Sequence, residues 1–378
     1  MLQQTYTAAR DLLVNDYKAH IKLKEDDNLN GQFNMVSAGL VNYLPDIDIE
    51  QHEDIYKTIL LHKKLSILEQ STYTALDYVT TENLTNETFS LLKNKPAIIC
   101  TFHMGSYRIL NLFLTKNKIP YSLVIGNDIV KQEGELFHSL YNDLPGSNAD
   151  EGFKIINAEA ANVGLQMLRE LKRGRTLLLY IDGNTGAGAA TTKNDNRCVV
   201  DFLHQQIFAR KGIAYLAHTA QVPIVTVASY RNSWENIRLK FFDPIFPDTA
   251  KEKNLFAEET TQYIYDLVAP LIKAHPQQWE GWLYIHKSAN IINLAAAKGI
   301  REKNSAVSEK ISLDSFRFGI FKVNGLPFLL RKNTYSFYEI NNQLYDLLSV
   351  CNDHSVKKEF IDNVLFNKLY EQGVITYV

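Results

Sequence analysis

The sequence has few cysteines, little net charge and no long apolar run. Only three cysteines occur among its 378 residues, far apart at Cys100, Cys198 and Cys351. Their odd number and wide spacing exclude a disulfide framework, and the absence of a CxxC or Cys/His cluster gives no sign of a structural zinc site. We interpret them as reduced thiols in a cytoplasmic protein.

The formal net charge is only −2, so no global field favours nucleic acid or anionic lipid as a partner. The longest apolar runs stay well short of the roughly 20 residues that span a bilayer. The residues Met1 to Thr5 lack the basic segment and apolar core of a signal peptide. We therefore expect no transmembrane segment and a soluble or at most peripheral protein.

The chain is long enough for two or three domains with sizeable cores. Residues 1–95 are predicted to be a helical region packed on the core, with a loop in the polar, Asn- and Asp-rich segment 25–45. Lys95-Pro96 ends the last of these helices, because the residue before a proline disfavours helical geometry.

Residues 96–297 alternate between strand-like and helical patterns, which indicates an α/β domain whose largely parallel sheet is flanked by helices. The predicted strands are Ala97–Phe102, Tyr121–Ile125, Phe153–Ile156, Thr176–Ile181, Cys198–Phe202 and Val222–Ala228, with Ile237–Phe242 as a candidate edge strand.

A linker is predicted at 298–311, where Lys, Glu, Asn and Ser dominate. The segment 312–378 begins with two apolar runs around Asn324-Gly325, a sequence typical of a β-hairpin turn. A third short strand and two helices follow. This order predicts a small winged-helix-like C-terminal domain.

The stretch Ala97 to Arg108 carries the strongest functional signal. An uninterrupted apolar run predicts a buried parallel strand, and His103 follows it, before Gly105 and a predicted helix. Ligands of open α/β sheets bind at the carboxyl ends of the strands. A neutral imidazole there is a candidate general base, although a core histidine bonded to a carbonyl fits the position as well.

Two further segments contain candidate site residues. Asp182-Gly183 ends another predicted strand and opens a Gly-rich loop, which lacks the Lys-Ser/Thr ending of a phosphate-binding loop. Arg210-Lys211 lies at the start of a helix predicted over Ala209–Ala220, where cations oppose the helix dipole and are better tolerated when they bind an anion. A turn-forming Asp and a solvated charge pair are the alternatives.

Taken in order, these blocks resemble the bacterial lipid A biosynthesis acyltransferases. The resemblance covers about residues 55–290 and ends in the aromatic block His275-Pro276-Gln277-Gln278-Trp279, followed by His286-Lys287. It implies a glycerolipid acyltransferase-like fold and transfer of a fatty acyl group from acyl-CoA or acyl carrier protein. The thioester is a substrate, and no cofactor or metal is implied.

Carried over by position, His103 matches the catalytic histidine of that family and Asp182 the aspartate that ends the later strand. Amides near Gly105 or Gly183 are expected to stabilise the oxyanion, and Arg210 and Lys211 to contact donor phosphates. The family usually has a carboxylate five residues after its histidine, where this chain has Arg108, a candidate substrate-binding residue. Either another carboxylate such as Asp182 supports His103, or the acceptor needs less help, or transferase activity is lost.

The C-terminal segment resembles the small peptide-binding domain of pyrroloquinoline quinone biosynthesis, through Phe318-Gly319-Ile320, Tyr338-Glu339-Ile340 and the ending Leu369 to Ile375. Such domains bind a leader peptide at a sheet edge, so a ribosomal precursor peptide is a candidate acceptor bound through 312–378. A generic winged-helix accessory module is the alternative. For the whole chain, the alternatives to acyl transfer are a thioesterase or hydrolase, and a binding protein on a decayed transferase scaffold.

Overall fold

The computed structural model describes residues 2–142, 153–183, 196–296 and 308–378. In these ranges the helices are α1 (Leu2–Asp16), α2 (Asp27–Tyr43), α3 (His52–Gln70), α4 (Asn86–Asn94), α5 (Ile109–Lys116), α6 (Asn127–Asn142), α7 (Val163–Lys172), α8 (Gly212–Ala220), α9 (Lys253–Ala274), α10 (Ile291–Ala296), α11 (Asn342–Asp353) and α12 (Asn363–Glu371).

The strands of the same ranges are β1 (Val79–Glu82), β2 (Ile98–Thr101), β3 (Tyr121–Ile125), β4 (Phe153–Asn157), β5 (Thr176–Tyr180), β6 (Arg197–Phe202), β7 (Gln205–Arg210), β8 (Ile224–Ser233), β9 (Asn236–Phe241), β10 (Lys310–Leu313), β11 (Phe318–Val323), β12 (Leu326–Arg331), β13 (Ser336–Glu339), β14 (Val356–Lys357) and β15 (Ile375–Tyr377).

Seven strands form the main sheet, in the order β1-β9-β8-β2-β5-β3-β4. Strands β8, β2, β5, β3 and β4 are parallel, whereas β9 is antiparallel to β8 and β1 is parallel to β9. Every residue of β2 and β3 is buried, as expected for strands covered by helices on both faces. The predicted α/β class with a largely parallel sheet is confirmed.

Two strand predictions need correction. The run Cys198–Phe202 lies in the two-stranded β6–β7 sheet and not in the main sheet. The segment Ile237–Phe242 is β9, which is not an edge strand because β1 pairs with its outer side. The strand β1 was not predicted, since its four residues VTTE show no apolar run and are partly exposed.

The predicted loop at 25–45 is wrong, because most of it forms helix α2. Asp26 caps this helix by accepting hydrogen bonds from the amides of Asn28 and Leu29. The helix contains Asn34 and Asn42, whose amide groups donate to the carbonyls of Ile320 at 3.1 Å and Lys332 at 2.9 Å. The polar residues that indicated a loop thus have partners far away in the sequence.

The chain divides into two units with other boundaries than the predicted domains. The first contains residues 1–18, 57–202 and 207–281, with the main sheet; the second contains 19–56, 203–206 and 282–378. The second unit therefore includes α2 besides the C-terminal segment. The predicted linker 298–311 lies mostly outside the described residues, and its last two residues, Lys310 and Ile311, begin β10.

The C-terminal segment forms two three-stranded sheets, β14-β10-β15 and β11-β12-β13. The predicted hairpin is confirmed: β11 and β12 pair from Phe318↔Arg331 to Val323↔Leu326, and the turn residue Asn324 has φ 51°. The last predicted helix, expected over Val356–Gln372, is shorter, since β14 and a short 3₁₀ turn precede α12.

No helix in the described ranges is long and apolar enough to cross a membrane. All three cysteines are buried as thiols.

Candidate active site

The parallel pairing of β2 with β5 brings His103 and Asp182 together. Thr101 and Tyr180 are register partners at the carboxyl ends of these neighbouring strands. His103 and Asp182 each follow two residues later, so the two side chains leave the sheet at the same height. The imidazole Nδ1 of His103 lies 2.7 Å from Oδ1 of Asp182.

Asp182 accepts hydrogen bonds from two further groups. The backbone amide of His103 donates to its Oδ2 at 2.9 Å, and the indole Nε1 of Trp279 donates to the same oxygen at 2.7 Å. Its side chain is only 3% exposed, against 22% for His103. Charge-assisted hydrogen bonds in such a buried place hold a carboxylate in one orientation. Asp182 thus fixes the imidazole, and Trp279 fixes Asp182.

Two tyrosine rings hold the other sides of the His103 imidazole. Tyr180 stacks on it with a centroid distance of 4.6 Å, and Tyr107 meets it edge-on at 4.9 Å. The two tyrosine rings are 5.4 Å apart. The imidazole therefore has little rotational freedom, which favours a preorganised site.

Gly105 is required by the turn that follows His103. It has φ +56°, and a Cβ at this position would lie 2.8 Å from Cα of Tyr230. Its amide donates to the carbonyl of Gln278 at 2.8 Å. Of the amides near Gly105 that are expected to contact the oxyanion, the amide of Gly105 itself therefore already has an intramolecular acceptor.

Other amides of the same turn are better placed as anion donors. Ser106 and Tyr107 are both nearly fully buried, and their backbone N–H groups make no hydrogen bond within the described residues. They lie in the turn that leads through Arg108 into α5. Gly183 lies on the other side of His103: a Cβ there would be 3.7 Å from Cε1 of the imidazole.

Arg108, five residues after His103, does not take over the role of the carboxylate that the family usually has at this position. Its guanidinium pairs with Glu133 of α6 and donates to Gln70 at 3.0 Å and to the Tyr107 hydroxyl at 3.1 Å. Burial alone would lower the pKa of Arg108, but Tyr107 and Glu133 outweigh it, and the net pKa is raised. These partners compensate its charge, so Arg108 supports Tyr107 and is not an open substrate contact.

A second buried ion pair lies behind the turn. Arg231 of β8 and Glu69 of α3 are 2.8 Å apart, with side chains 2% and 1% exposed. Arg231 also donates to the Ser106 hydroxyl and, at 3.2 Å, to Nδ1 of His62. Burial raises the pKa of Glu69, and Arg231 opposes this increase. The pair ties the turn after His103 to the strand and helix behind it.

Glu280 places a second carboxyl group near His103. Its amide donates to the carbonyl of His103 at 2.8 Å. Burial raises the pKa of the Glu280 carboxyl, and the neighbouring His103, Lys63 and Arg108 oppose the increase. Its Oε1 is buried without a hydrogen-bond partner in the described part of the chain.

The predicted donor contacts Arg210 and Lys211 have different surroundings. Lys211 is 5% exposed, pairs with Glu258 at 2.8 Å and donates to Asn254. The charge of Lys211 is therefore balanced by Glu258, which makes Arg210 the better candidate of the two for the expected phosphate contact. Arg210 ends β7, and both burial and the nearby charge of Arg197 lower its pKa.

The sequence interpretation missed Gln278, Glu280 and Glu133 as parts of the site. The sequence indicates Gln278 and Trp279 only as members of the aromatic block that ends the resemblance. In and directly after that block, Trp279 donates to Asp182, the carbonyl of Gln278 accepts from Gly105, and Glu280 supplies the buried carboxyl group. The sequence feature that could have indicated these residues is the position of the block directly after the long helix α9, because this helix returns the chain to the carboxyl edge of the sheet.

No group of three or more His, Cys, Asp or Glu residues suited to a metal ion occurs within the described ranges. A cavity of about 1010 Å³ opens at the other edge of the sheet, by the first residues of β3, β4 and β5. Its lining includes Phe153, Lys154 and Arg175 and none of the predicted site residues.

Comparison with protein families identifies one match. The family model described as bacterial lipid A biosynthesis acyltransferase matches residues 66–288, a range that contains His103, Asp182 and Trp279. No curated protein matches the chain.

Among solved structures, the chain is similar to the 1-acyl-sn-glycerophosphate acyltransferase PlsC from Thermotoga maritima. The two are 14% identical, with a TM-score of 0.33, and the match covers 68% of this chain and 100% of that one.

Proposed function

This chain belongs to the bacterial lipid A biosynthesis acyltransferase family and is an acyltransferase, and we propose that it moves a fatty acyl group from an acyl thioester to an amine or hydroxyl group of a peptide. The observation that carries the proposed chemistry is the hydrogen-bonded pair of His103 and Asp182 at the carboxyl edge of the sheet.

In this mechanism Asp182 keeps the proton of the imidazole on Nδ1, so that Nε2 is the basic nitrogen. Nε2 of His103 takes the proton from the acceptor as its oxygen or nitrogen attacks the thioester carbonyl. The new C–O or C–N bond forms, the C–S bond breaks, and the proton passes from His103 to the departing thiolate. General base catalysis of this kind contributes about 10²- to 10⁴-fold in rate.

The oxyanion that develops in the transition state needs N–H donors that are not already bonded to another acceptor. We assign this role to the amides of Ser106 and Tyr107, which lack a hydrogen bond within the described residues. The amide of Gly183 already donates to the carbonyl of Tyr180 at 3.4 Å. Buried backbone N–H groups are rarely left unpaired, so a negatively charged oxygen in the transition state would satisfy them.

For the donor, the expected phosphate contact is now Arg210 alone. Its repulsion by Arg197 would be relieved by an anionic group of coenzyme A or of the carrier's phosphopantetheine. Replacing Arg210 by Gln is expected to raise KM for acyl-CoA about tenfold with little change in kcat, as for loss of one charged hydrogen bond. Lys172→Gln, at an exposed position of α7, is the matched control.

Support for a peptide acceptor comes from the free edge of the β11-β12-β13 sheet. Strand β13 pairs with β12 on one side and with no other strand in the described ranges. Its residues Phe337 and Tyr338 are 57% and 50% exposed. An extended peptide adds to such an edge through main-chain hydrogen bonds.

The direct test incubates the purified protein with palmitoyl-CoA, or palmitoyl carrier protein, and a panel of Lys- and Ser-containing peptides. Mass spectrometry then identifies the products. Acyl-peptide that forms with the wild type and not with His103→Ala supports the proposal. Free fatty acid as the only His103-dependent product would make the protein a thioesterase. Thioester binding without any product would make it a non-catalytic scaffold.

The peptide site has its own test. The amide of Ile340 donates to the carbonyl of Pro327, so by strand alternation the N–H of Glu339 points away from β12. Glu339→Pro removes this outward N–H donor and leaves the hydrogen bonds between β13 and β12 intact, whereas Glu339→Ala keeps the donor. Peptides that bind the edge should lose affinity with the Pro variant only. Equal affinity for both variants would exclude peptide addition at β13.

A further inference from the structure

The second unit contains a cavity of about 550 Å³ that the acyl transfer chemistry does not use. Its walls come from the end of α2, the hairpin tip at His204, the strands β11 and β12, and Gln372. This volume lies within the range of about 300–1,000 Å³ typical of small-molecule sites. None of the residues assigned to acyl transfer lines it.

The charge of the cavity is one-sided. Two guanidinium groups, of Arg317 and Arg331, and the imidazole of His204 line it, and no Asp or Glu does among the described residues. Arg317 is 3.5 Å from Asp314 and His204 is 4.0 Å from Asp46, and both carboxylates lie outside the lining. Arg331 has no carboxylate within ion-pair distance in the part of the chain that the structure describes.

Arg331 is also held in position. It is the register partner of Phe318, and its guanidinium carbon lies 5.7 Å from the centroid of the Phe318 ring. Stacking on an aromatic face orients the planar guanidinium and leaves its in-plane N–H donors directed outward. Such a preoriented fork matches the two oxygens of a carboxylate or phosphate.

The remaining walls are apolar or amide. Val41, Pro45, Phe316 and Phe318 supply apolar surface, and the side chains of Gln205 and Asn333 supply neutral polar groups. A bare inorganic ion would leave this apolar surface uncovered. The lining therefore suits a ligand with an anionic group at one end and an apolar body at the other.

We infer that this cavity is a binding site for a small organic anion, a carboxylate or a phosphate carried on an apolar or aromatic body, with Arg331 as its principal anion contact. The inference goes beyond the proposed acyl transfer and is independent of it. The carboxyl terminus of a peptide and a phosphate ester are the two sources of this chemistry.

The test uses calorimetry on the full chain with three probes: N-acetylphenylalanine, phenyl phosphate and the uncharged N-acetylphenylalanine amide. We expect saturable binding of at least one anionic probe, about tenfold tighter than that of the amide. The tighter anion identifies the source, a peptide terminus for the carboxylate or a phosphate ester for phenyl phosphate. The inference is overturned by an amide that binds as tightly as the anions, or by no saturable binding of either anion.

Variants assign the binding to this cavity. Arg331→Gln should weaken the anionic probes about tenfold and leave the amide unchanged, whereas Lys368→Gln, which removes one positive charge from an exposed position of α12, should change neither. Equal effects of both variants would overturn the assignment. If Arg331→Gln does not fold, Arg331→Lys keeps the charge without the fork and should give an intermediate loss. The comparison of charged and neutral probes on the wild type stands by itself.

Discussion

At the scale of single residues, the site depends on one carboxylate with three donors. Asp182→Asn keeps the size of the side chain, but its amide NH₂ cannot accept the hydrogen bonds that the carboxylate accepts from His103 and Trp279. The imidazole then favours the other tautomer, with the proton on Nε2. We expect kcat/KM for acyl-CoA turnover to fall about 10²- to 10⁴-fold.

Steady-state thioester cleavage, monitored through release of the free thiol, measures this change. Asp128→Asn, at an exposed position in the first turn of α6, should stay within about twofold of the wild type. An Asp182→Asn enzyme with full activity would show that His103 does not need Asp182.

Gly105 makes the second prediction at this scale. An alanine there would combine a positive φ with a Cβ only 2.8 Å from backbone of β8, so Gly105→Ala should lower the free energy of unfolding by about 1–3 kcal/mol or more. Gly164→Ala in α7, where no atom lies within 4 Å, should instead raise it by about 0.5–1 kcal/mol. Urea unfolding of both variants measures the contrast, and similar effects of the two would contradict it.

The positions of single site residues were predictable where these residues directly follow a predicted strand. His103 and Asp182 each end an apolar run, and parallel neighbours must bring such ends together. The chain order of strands did not show that β2 and β5 are neighbours, so their pairing stayed one alternative among three. The role of Arg108 was not predictable, because its partners Glu133 and Gln70 come from α6 and α3 and show no spacing that links them to it.

At the scale of elements, α2 shows how tertiary contacts decide a local structure. Its Asn and Asp residues favour turns in isolation. In the folded chain Asn34 and Asn42 bind carbonyls of β11 and of the segment after β12, and Asp26 supplies the cap. The prediction that β6 belongs to the main sheet was wrong for a related reason. An apolar run indicates that a strand is buried, but burial alone does not tell which sheet the strand joins.

The contact of α2 with Lys332 gives a prediction on pH. Lys332 is 3% exposed and donates to Ser37 of α2 at 2.7 Å and to the carbonyl of Ser315 at 2.6 Å. Burial lowers the pKa of Lys332 to about 7, although Asp314 opposes the decrease. Ser37 in turn contacts Nδ1 of His52, and burial, followed by the charge of Lys332, lowers the pKa of His52 to about 4.

Between pH about 7 and the ordinary lysine pKa of about 10.4, the unfolded chain binds a proton at Lys332 that the folded chain does not. The free energy of unfolding should therefore rise with pH across this window, and Lys332→Met should abolish this rise. Below pH about 7 the group is charged in both states, so its contribution no longer changes with pH.

Urea unfolding of wild type and Lys332→Met at pH 6 to 10 measures the difference in their free energies of unfolding. This difference should grow with pH, while Lys368→Met, which removes a lysine from an exposed position, should give a constant offset. A constant offset for Lys332→Met as well would contradict the prediction.

At the scale of the whole molecule, sequence position and spatial grouping disagree. Composition shifts mark boundaries near 95 and 298–311, because they follow local polarity. The units in the structure instead join 19–56 to 282–378, and only contacts between segments hundreds of residues apart establish that grouping. Ala38 of α2, for example, belongs to the same buried cluster as Phe321, Leu330 and Tyr335.

This grouping predicts the effect of a truncation at the sequence-derived boundary. Removing residues 312–378 would expose Ala38 and leave the amide of Asn34 without its acceptor on Ile320. Since helix stability in proteins comes mainly from tertiary packing, α2 should lose most of its protection from hydrogen exchange. Helix α5 of the first unit provides the internal reference and should keep its protection. If α2 stayed as protected as α5, the C-terminal segment would be an independent domain joined at 298–311, and the division of the chain described here would be wrong.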